Sequence, residues 1–346
     1  MYAEQAQASC YTSTISLVFA LFRILDYYIM YSNHGGLMKA AQIDSYGDVT
    51  NIHINETETP TISDDQVLVK VTAASINPFD LTVLSGGAAS MGSLEFPATL
   101  GLDIAGTVAE IGANVTGFAI GDRVYGTANA MFGASGAYAE FAAVNANNIG
   151  ISPSNISDAE AASFPTAGIS GLQAANALNL QEGQRFFVHG GAGGAGSIAI
   201  QVAKARGAYV AATASTENSE FVKSLGADEV IDYKSQDYKE VIKDYDAVFT
   251  TVRSENISEV FAVLKDGGMA ISLVGPFDEG AAAKKNITAS TQMTRVTTES
   301  LGELRELVEK ESVKPLIDKT YSLDTIRDAY TSLAGESIKG KVVITI

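Results

Sequence analysis

The sequence predicts an α/β protein in two parts, an antiparallel, barrel-like β domain followed by a parallel, doubly wound sheet flanked by helices. Three observations carry that prediction. Short strands separated by Gly, Pro and Asp fill the stretch from Met38 to about Ile151. Ala-rich helical spacing takes over around Ser157 to Leu180, and beyond it apolar strands alternate with helices. A length of 346 residues with 46% apolar content suits two domains with ample buried core. The 40 acidic residues against 23 Lys and Arg give a net charge of -17, which argues against nucleic acid, since phosphate binding draws on clustered cations. Cys10 is the single Cys, so an intrachain disulfide and a four-thiolate zinc site are both excluded. Only His34, His53 and His189 remain as imidazole ligands, a weak basis for any metal.

Taken in order, the first segment stands apart. Ile15 to Tyr31 is mostly apolar but interrupted by Arg23 and Asp26, and a spanning helix needs about 20 apolar residues. Residues 1–37 are expected to be an extension outside the fold, with a peripheral anchor or a targeting sequence as alternatives; any membrane contact is assigned to them. Met38 to Ile43 opens the first patterned strand. Val67 to Val71 has β-branched density, Thr107 to Ile111 alternates, and Gly121-Asp122 and Gly126 punctuate the stretch beyond. Ser157 is placed to cap a helix, with Glu160 reaching back to it. Strands are then expected at 186–189, 209–212, 229–231, 247–249 and 270–274, with helices at 198–204 and 219–225 between them. After a helix at 323–333, the strand from Lys341 to Ile346 is expected to return to the first domain. The predicted domains are 38–162, completed by 296–346, and 163–295.

The strongest chemical signal is Val188-His189-Gly190-Gly191-Ala192-Gly193-Gly194-Ala195-Gly196, directly between a strand and a helix. Gly190, Gly191, Ala192, Gly193, Gly194 and Ala195 permit a tight turn and close approach of backbone N–H groups to a pyrophosphate at the positive end of that helix. A flexible loop or a methyltransferase nucleoside loop is the alternative. The next strand ends Ala212-Thr213-Ala214-Ser215-Thr216, without the acid that receives a ribose 2′-hydroxyl in NAD-specific sheets. Ser215, Thr216 and Asn218 are donors suited to a 2′-phosphate, so NADP(H) is favoured; Glu217, in the same loop, points the other way.

A larger resemblance gathers these features. Ile76-Asn77-Pro78-Phe79-Asp80, Phe96-Pro97-Ala98-Thr99-Leu100-Gly101-Leu102-Asp103-Ile104-Ala105-Gly106, Gly121-Asp122-Arg123-Val124, Gly136-Ala137-Tyr138-Ala139-Glu140, Pro165-Thr166-Ala167-Gly168, the glycine loop, Leu225 to Tyr233 and Gly340-Lys341-Val342-Val343 occur in order. Together they resemble the medium-chain dehydrogenase/reductase superfamily, in its zinc-free quinone oxidoreductase (zeta-crystallin-like) branch, over Met38 to Ile346. The resemblance implies a GroES-like catalytic domain, a Rossmann domain, NADP(H), a cytoplasmic homodimer, and a small quinone or α,β-unsaturated carbonyl as substrate. Zinc-dependent relatives carry a Cys and a Gly-His-Glu segment where this chain has Asn77 to Asp80 and Gly101-Leu102-Asp103, so no metal is expected.

The resemblance further places Asn77 and Asp80 at the nicotinamide end, with Thr166 near the carboxamide, and Thr82 or solvent as proton source. Ser215, Asn218 and Tyr233 fall around the adenosine phosphate, and Val252, Val274 and Gly275 line the cofactor trough. Plainer readings stand beside these: Asn77 as the turn residue before Pro78, Asp80 as a helix cap, Tyr138 as filler at the domain junction and His189 as a packed side chain. An enoyl thioester reductase and a non-enzymatic NADPH-binding protein are the alternative functions.

Overall fold

The computed structural model describes residues 36–346, and the expectations for residues 1–35 lie outside the described residues. The β-rich part begins with β1 (Leu37–Ile43), one residue inside the predicted extension, and β2 (His53–Glu58). It continues with β3 (Gln66–Ile76), helix α1 (Pro78–Leu84), β4 (Ala98–Thr99), β5 (Asp103–Ile111), β6 (Arg123–Thr127), β7 (Phe141–Asn145) and β8 (Ile149–Ile151). Two junction helices come next, α2 (Asp158–Ala162) and α3 (Pro165–Ala177). The parallel part is β9 (Arg185–His189), α4 (Gly194–Ala205), β10 (Tyr209–Ala214), α5 (Ser219–Ser224), β11 (Glu229–Asp232), α6 (Tyr238–Val241), β12 (Tyr245–Thr250), β13 (Leu264–Ser272), α7 (Glu279–Lys284) and β14 (Thr288–Thr291). The chain closes with α8 (Thr298–Glu309), β15 (Ile317–Ser322), α9 (Ile326–Gly335) and β16 (Lys341–Thr345).

The parallel sheet has the order β11-β10-β9-β12-β13-β14, so the chain reverses direction across the sheet between β9 and β12. In doubly wound sheets the crevice outside that switch point is the ligand site. The β-rich part holds a three-stranded sheet, β2-β1-β4, and a seven-stranded one, β15-β16-β3-β5-β6-β8 with β7 also on β3. As predicted, the last strand returns: Val342 to Thr345 pair antiparallel with Ile76 to Ala73. β15 and β16 pair in parallel, an exception in an otherwise antiparallel sheet.

Local chemistry explains the junction. Ser157 and Glu160 form the predicted capping box, with the Ser157 N–H donating to Glu160 at 2.8 Å. Phe164, Ile169, Leu172 and Leu304 pack in one buried cluster with Phe186 and Val188 of the parallel sheet and with Tyr125 and Val343 of the β-rich sheet. The tyrosine at that junction is Tyr125, whose hydroxyl donates to the Leu301 carbonyl at 2.6 Å. Tyr138 instead lies in the core of the β-rich part, edge-on to Tyr330, so its placement at the domain junction is corrected.

Two further differences concern the later strands. The strand expected over 270–274 runs earlier, ending at Ser272, because the Ser272 hydroxyl accepts from the Val274 N–H and turns the chain. β14 is absent from the sequence expectation: Thr288-Ala289-Ser290-Thr291 carries little apolar signal, since it is an edge strand paired on one side only, with β13.

Candidate active site

The glycine loop lies between β9 and α4 with its backbone held from below. The Gly190 N–H donates to Thr213 Oγ1 at 2.9 Å and the Gly191 N–H to the Thr213 carbonyl at 2.9 Å. A Cβ on Gly196 would stand 2.1 Å from the Gly190 carbonyl oxygen, which is why the helix can lie so close on its strand. Gly193, which caps α4 without a side chain, is the opposite case: a Cβ there meets nothing within 4 Å. The space beside it, at the start of a 12-residue helix, is an open cradle that fits a pyrophosphate. Gly193 also forms a parallel bridge with Gly340, whose N–H donates to the Ala192 carbonyl at 2.9 Å. The loop is thereby fixed to the base of β16.

One residue beyond that bridge begins a buried polar network. The Asp103 carboxylate receives Ser75 Oγ at 3.1 Å, Asn77 Nδ2 at 2.9 Å, and the Thr166 N–H and hydroxyl at 3.1 and 2.6 Å. Lys341 Nζ stands 3.5 Å from it and donates to the Ile76 carbonyl and to Asn77 Oδ1. Asp103 is fully buried and Lys341 is 6% exposed. Burial pushes the Lys341 ammonium down and the Asp103 charge opposes that shift. Two of the predicted nicotinamide residues, Asn77 and Thr166, are therefore brought together by one carboxylate.

Asp80 takes the capping role as well. Its carboxylate accepts the Asn77 N–H at 2.7 Å to complete the α1 capping box, and its other oxygen is buried without a partner among the described residues. Burial, reinforced by the nearby Asp103 charge, raises the Asp80 carboxyl to about 7. Thr82, half-buried on the same helix, donates to the Pro78 carbonyl at 3.4 Å.

The predicted adenosine end is built differently. Ser215, just past β10, is buried with a hydroxyl that has no hydrogen-bond partner among the described residues. Asn218 is turned away, donating to Ser337 Oγ at 2.9 Å, whereas Tyr233, at the end of β11, is 58% exposed. Glu217 is bound by Lys234, with Nζ at 2.8 and 3.1 Å from its two oxygens. Val252 packs over Gly190, and Val274 and Gly275 follow the end of β13, so all three lie at the C-terminal edge of the sheet. His189 stacks on Phe187 and faces Thr250 Oγ1 at 3.2 Å; burial lowers it to about 4, consistent with a packed side chain.

Residues 63–154 match the alcohol dehydrogenase GroES-like domain family and residues 225–344 the zinc-binding dehydrogenase family. A 2-methylene-furan-3-one reductase of Solanum lycopersicum is 34% identical over 316 residues, 89% of this chain and 79% of that protein. The chain belongs to the medium-chain dehydrogenase/reductase superfamily, in its quinone oxidoreductase branch. An NADPH-dependent alkenal/one oxidoreductase of Arabidopsis thaliana chloroplasts is likewise 34% identical over 318 residues, 89% and 79% of the two chains. The solved quinone oxidoreductase of Coxiella burnetii superposes with a TM-score of 0.81 at 31% identity, covering 90% of this chain and 99% of that one. The superposition covers both the GroES-like sheet and the Rossmann sheet found here.

In the sequence, Asp103 and Lys341 stand out only as parts of motifs, and Lys234 does not stand out at all. An apolar strand that carries one acid, as in Asp103-Ile104-Ala105, or one cation, as in Lys341-Val342-Val343, is the signal that pairs the first two. Lys234 carries no signal beyond standing next to Tyr233.

Proposed function

We propose that this superfamily member is an NADPH-dependent, zinc-independent reductase of quinones or α,β-unsaturated carbonyl compounds, working as a cytoplasmic homodimer. The observation that carries this is the open cradle at Gly193 set one bridge away from the Asp103 network that holds Asn77 and Thr166. Bound NADPH supplies a hydride to an electron-poor carbon. The chain's own residues bind, orient and exclude water. Gly190 to Ala195 hold the pyrophosphate through backbone N–H groups, and Thr166 Oγ1, with its proton committed to Asp103, presents lone pairs to an amide. Asn77, with one N–H on Asp103, has a second to offer a carbonyl oxygen that gains charge, and Thr82 or solvent supplies the proton.

Zinc independence is supported by composition: residues 36–346 contain no Cys, and the described residues hold no group of three or more His, Cys, Asp or Glu placed to bind a metal. A homodimer is supported by the family resemblance and by the unpaired outer edge of β14. The test is NADPH consumption with a panel of quinones, enones and enoyl thioesters, run with and without a strong chelator. Turnover of a quinone or enone that survives chelation is expected. Turnover confined to thioesters, or NADPH binding with no acceptor reduced, overturns the substrate assignment. Light scattering and cell fractionation test the dimer and its compartment.

A further inference from the structure

The adenosine end holds an arrangement that hydride transfer does not use, and its meaning rests on the NADP(H) reading. Glu217 lies three residues past β10, the strand whose tip presents an acid to the ribose in NAD-binding sheets. Here its carboxylate is gripped by Lys234 on both oxygens. Lys234, with help from the Glu217 backbone N–H, lowers that carboxyl to about 2, below the usual carboxylate range. Nearby Ser215, only 3% exposed, buries a hydroxyl that has no hydrogen-bond partner among the described residues. A cation held on a carboxylate, two residues from a buried hydroxyl that has no partner among the described residues, makes an anion site, and a side chain of the protein already fills it.

The surrounding donors are spoken for. Thr216 Oγ1 and the Lys234 N–H are both committed to Asp232, and the Asn218 amide to Ser337. Glu217 and Lys234 side chains are 65% and 49% exposed, so the pair opens without disturbing the core.

We propose that Glu217 is an internal stand-in for the 2′-phosphate of NADP(H): it occupies the Lys234–Ser215 anion site in the free protein and is displaced when the phosphate takes Lys234. A phosphate brings up to two charges and three acceptor oxygens against one charge and two oxygens, so it wins the exchange, and Glu217 turns to solvent. NAD(H) offers only a hydroxyl there and leaves the pair closed. Lys234 thus sets the preference for the phosphorylated cofactor, and Glu217 sets how much of the binding energy is spent on release.

The experiment is calorimetric titration of the full chain and its variants with NADPH, NADH and 2′,5′-ADP. Glu217→Gln is expected to tighten NADPH and 2′,5′-ADP by about 10-fold and to leave NADH within about 2-fold. Lys234→Met is expected to weaken both 2′-phosphate ligands by about 10-fold or more, and in that background Glu217→Gln loses its effect, because the two act through one contact. Unchanged melting temperatures for these exposed substitutions separate binding from folding. Glu217→Gln that weakens NADH and spares 2′,5′-ADP overturns the proposal, since Glu217 would then be a ribose acceptor. An unchanged NADPH to NADH ratio in Lys234→Met overturns it too. A wild-type chain that binds neither nicotinamide cofactor overturns the functional reading beneath it, which is a distinct result.

Discussion

Around the β3–β16 pairing the charged side chains of Asp103 and Lys341 are 0% and 7% exposed and surrounded by committed hydrogen-bond partners, whereas past β10 Glu217 and Lys234 lie open beside a buried Ser215 hydroxyl that has no partner among the described residues. The ion pair at one end is enclosed before any ligand arrives, and the pair at the other is arranged for exchange. A buried ion pair contributes geometry and is costly to break, while an exposed pair is weak and replaceable. Substitutions at the first end should therefore register in folding, and those at the second in binding.

The sharpest way to break this contrast is Asp103→Asn. It leaves Lys341 buried without its counter-charge, a change worth about 3–5 kcal/mol of stability, read as a shifted denaturant midpoint. Adding Lys341→Met should restore part of that loss. Wild-type stability in Asp103→Asn would show the network to be dispensable.

Between the two ends, Gly193 and Gly196 separate binding from folding within one loop. Gly193→Leu is expected to lose NADPH affinity by more than about 100-fold with an unchanged melting temperature, because its side chain enters only the cradle. Gly196→Ala should instead lower the melting temperature, since its Cβ meets the Gly190 carbonyl. Equal affinity in Gly193→Leu would show the cradle to be elsewhere.

A smaller effect sharpens the description of the buried end. The Asp80 carboxyl is raised in the folded state to about 7 from its ordinary 3.8, so the folded protein holds that proton more tightly than the unfolded chain. Its stabilising contribution is complete below pH 3.8 and is lost as pH rises through about 7. Asp80→Asn, neutral throughout, should match wild type below pH 3.8, gain on it as pH rises towards 7 and melt a few degrees higher at pH 8, as read by parallel thermal scans. His189 works in the opposite sense: held neutral and lowered to about 4, its contribution is lost as pH falls from 6.5 towards 4.

The fold is legible wherever local chemistry is repetitive or constrained. The glycine loop announces itself because a helix start pressed on a strand leaves no room for Cβ atoms, and Ser157-Asp158-Ala159-Glu160 spells its own cap. The β16 return is legible from its apolar run. The site is less so. Asp103 and Lys341 sit on strands far apart in sequence, and only the closed sheet shows that they meet. Tyr125 and Tyr138 both occupy β-rich segments, and which one reaches the junction depends on how two sheets pack. Asn77 and Asp80 form the helix cap of the plainer reading, and the same geometry sets Asn77 on the Asp103 carboxylate, so the plain and functional readings of Asn77 do not compete.

The return of β16 also orders events in time. Lys341 and Ile76, joined by a hydrogen bond, are 265 residues apart, so the central β3–β16 pairing of the catalytic sheet closes a loop that contains the entire Rossmann unit. Contacts of such long range form slowly, because the closure entropy is lost before the contact returns anything. The nucleotide-binding unit, whose strands pair with near neighbours in sequence, is a guest that matures inside a host still waiting for its final strand.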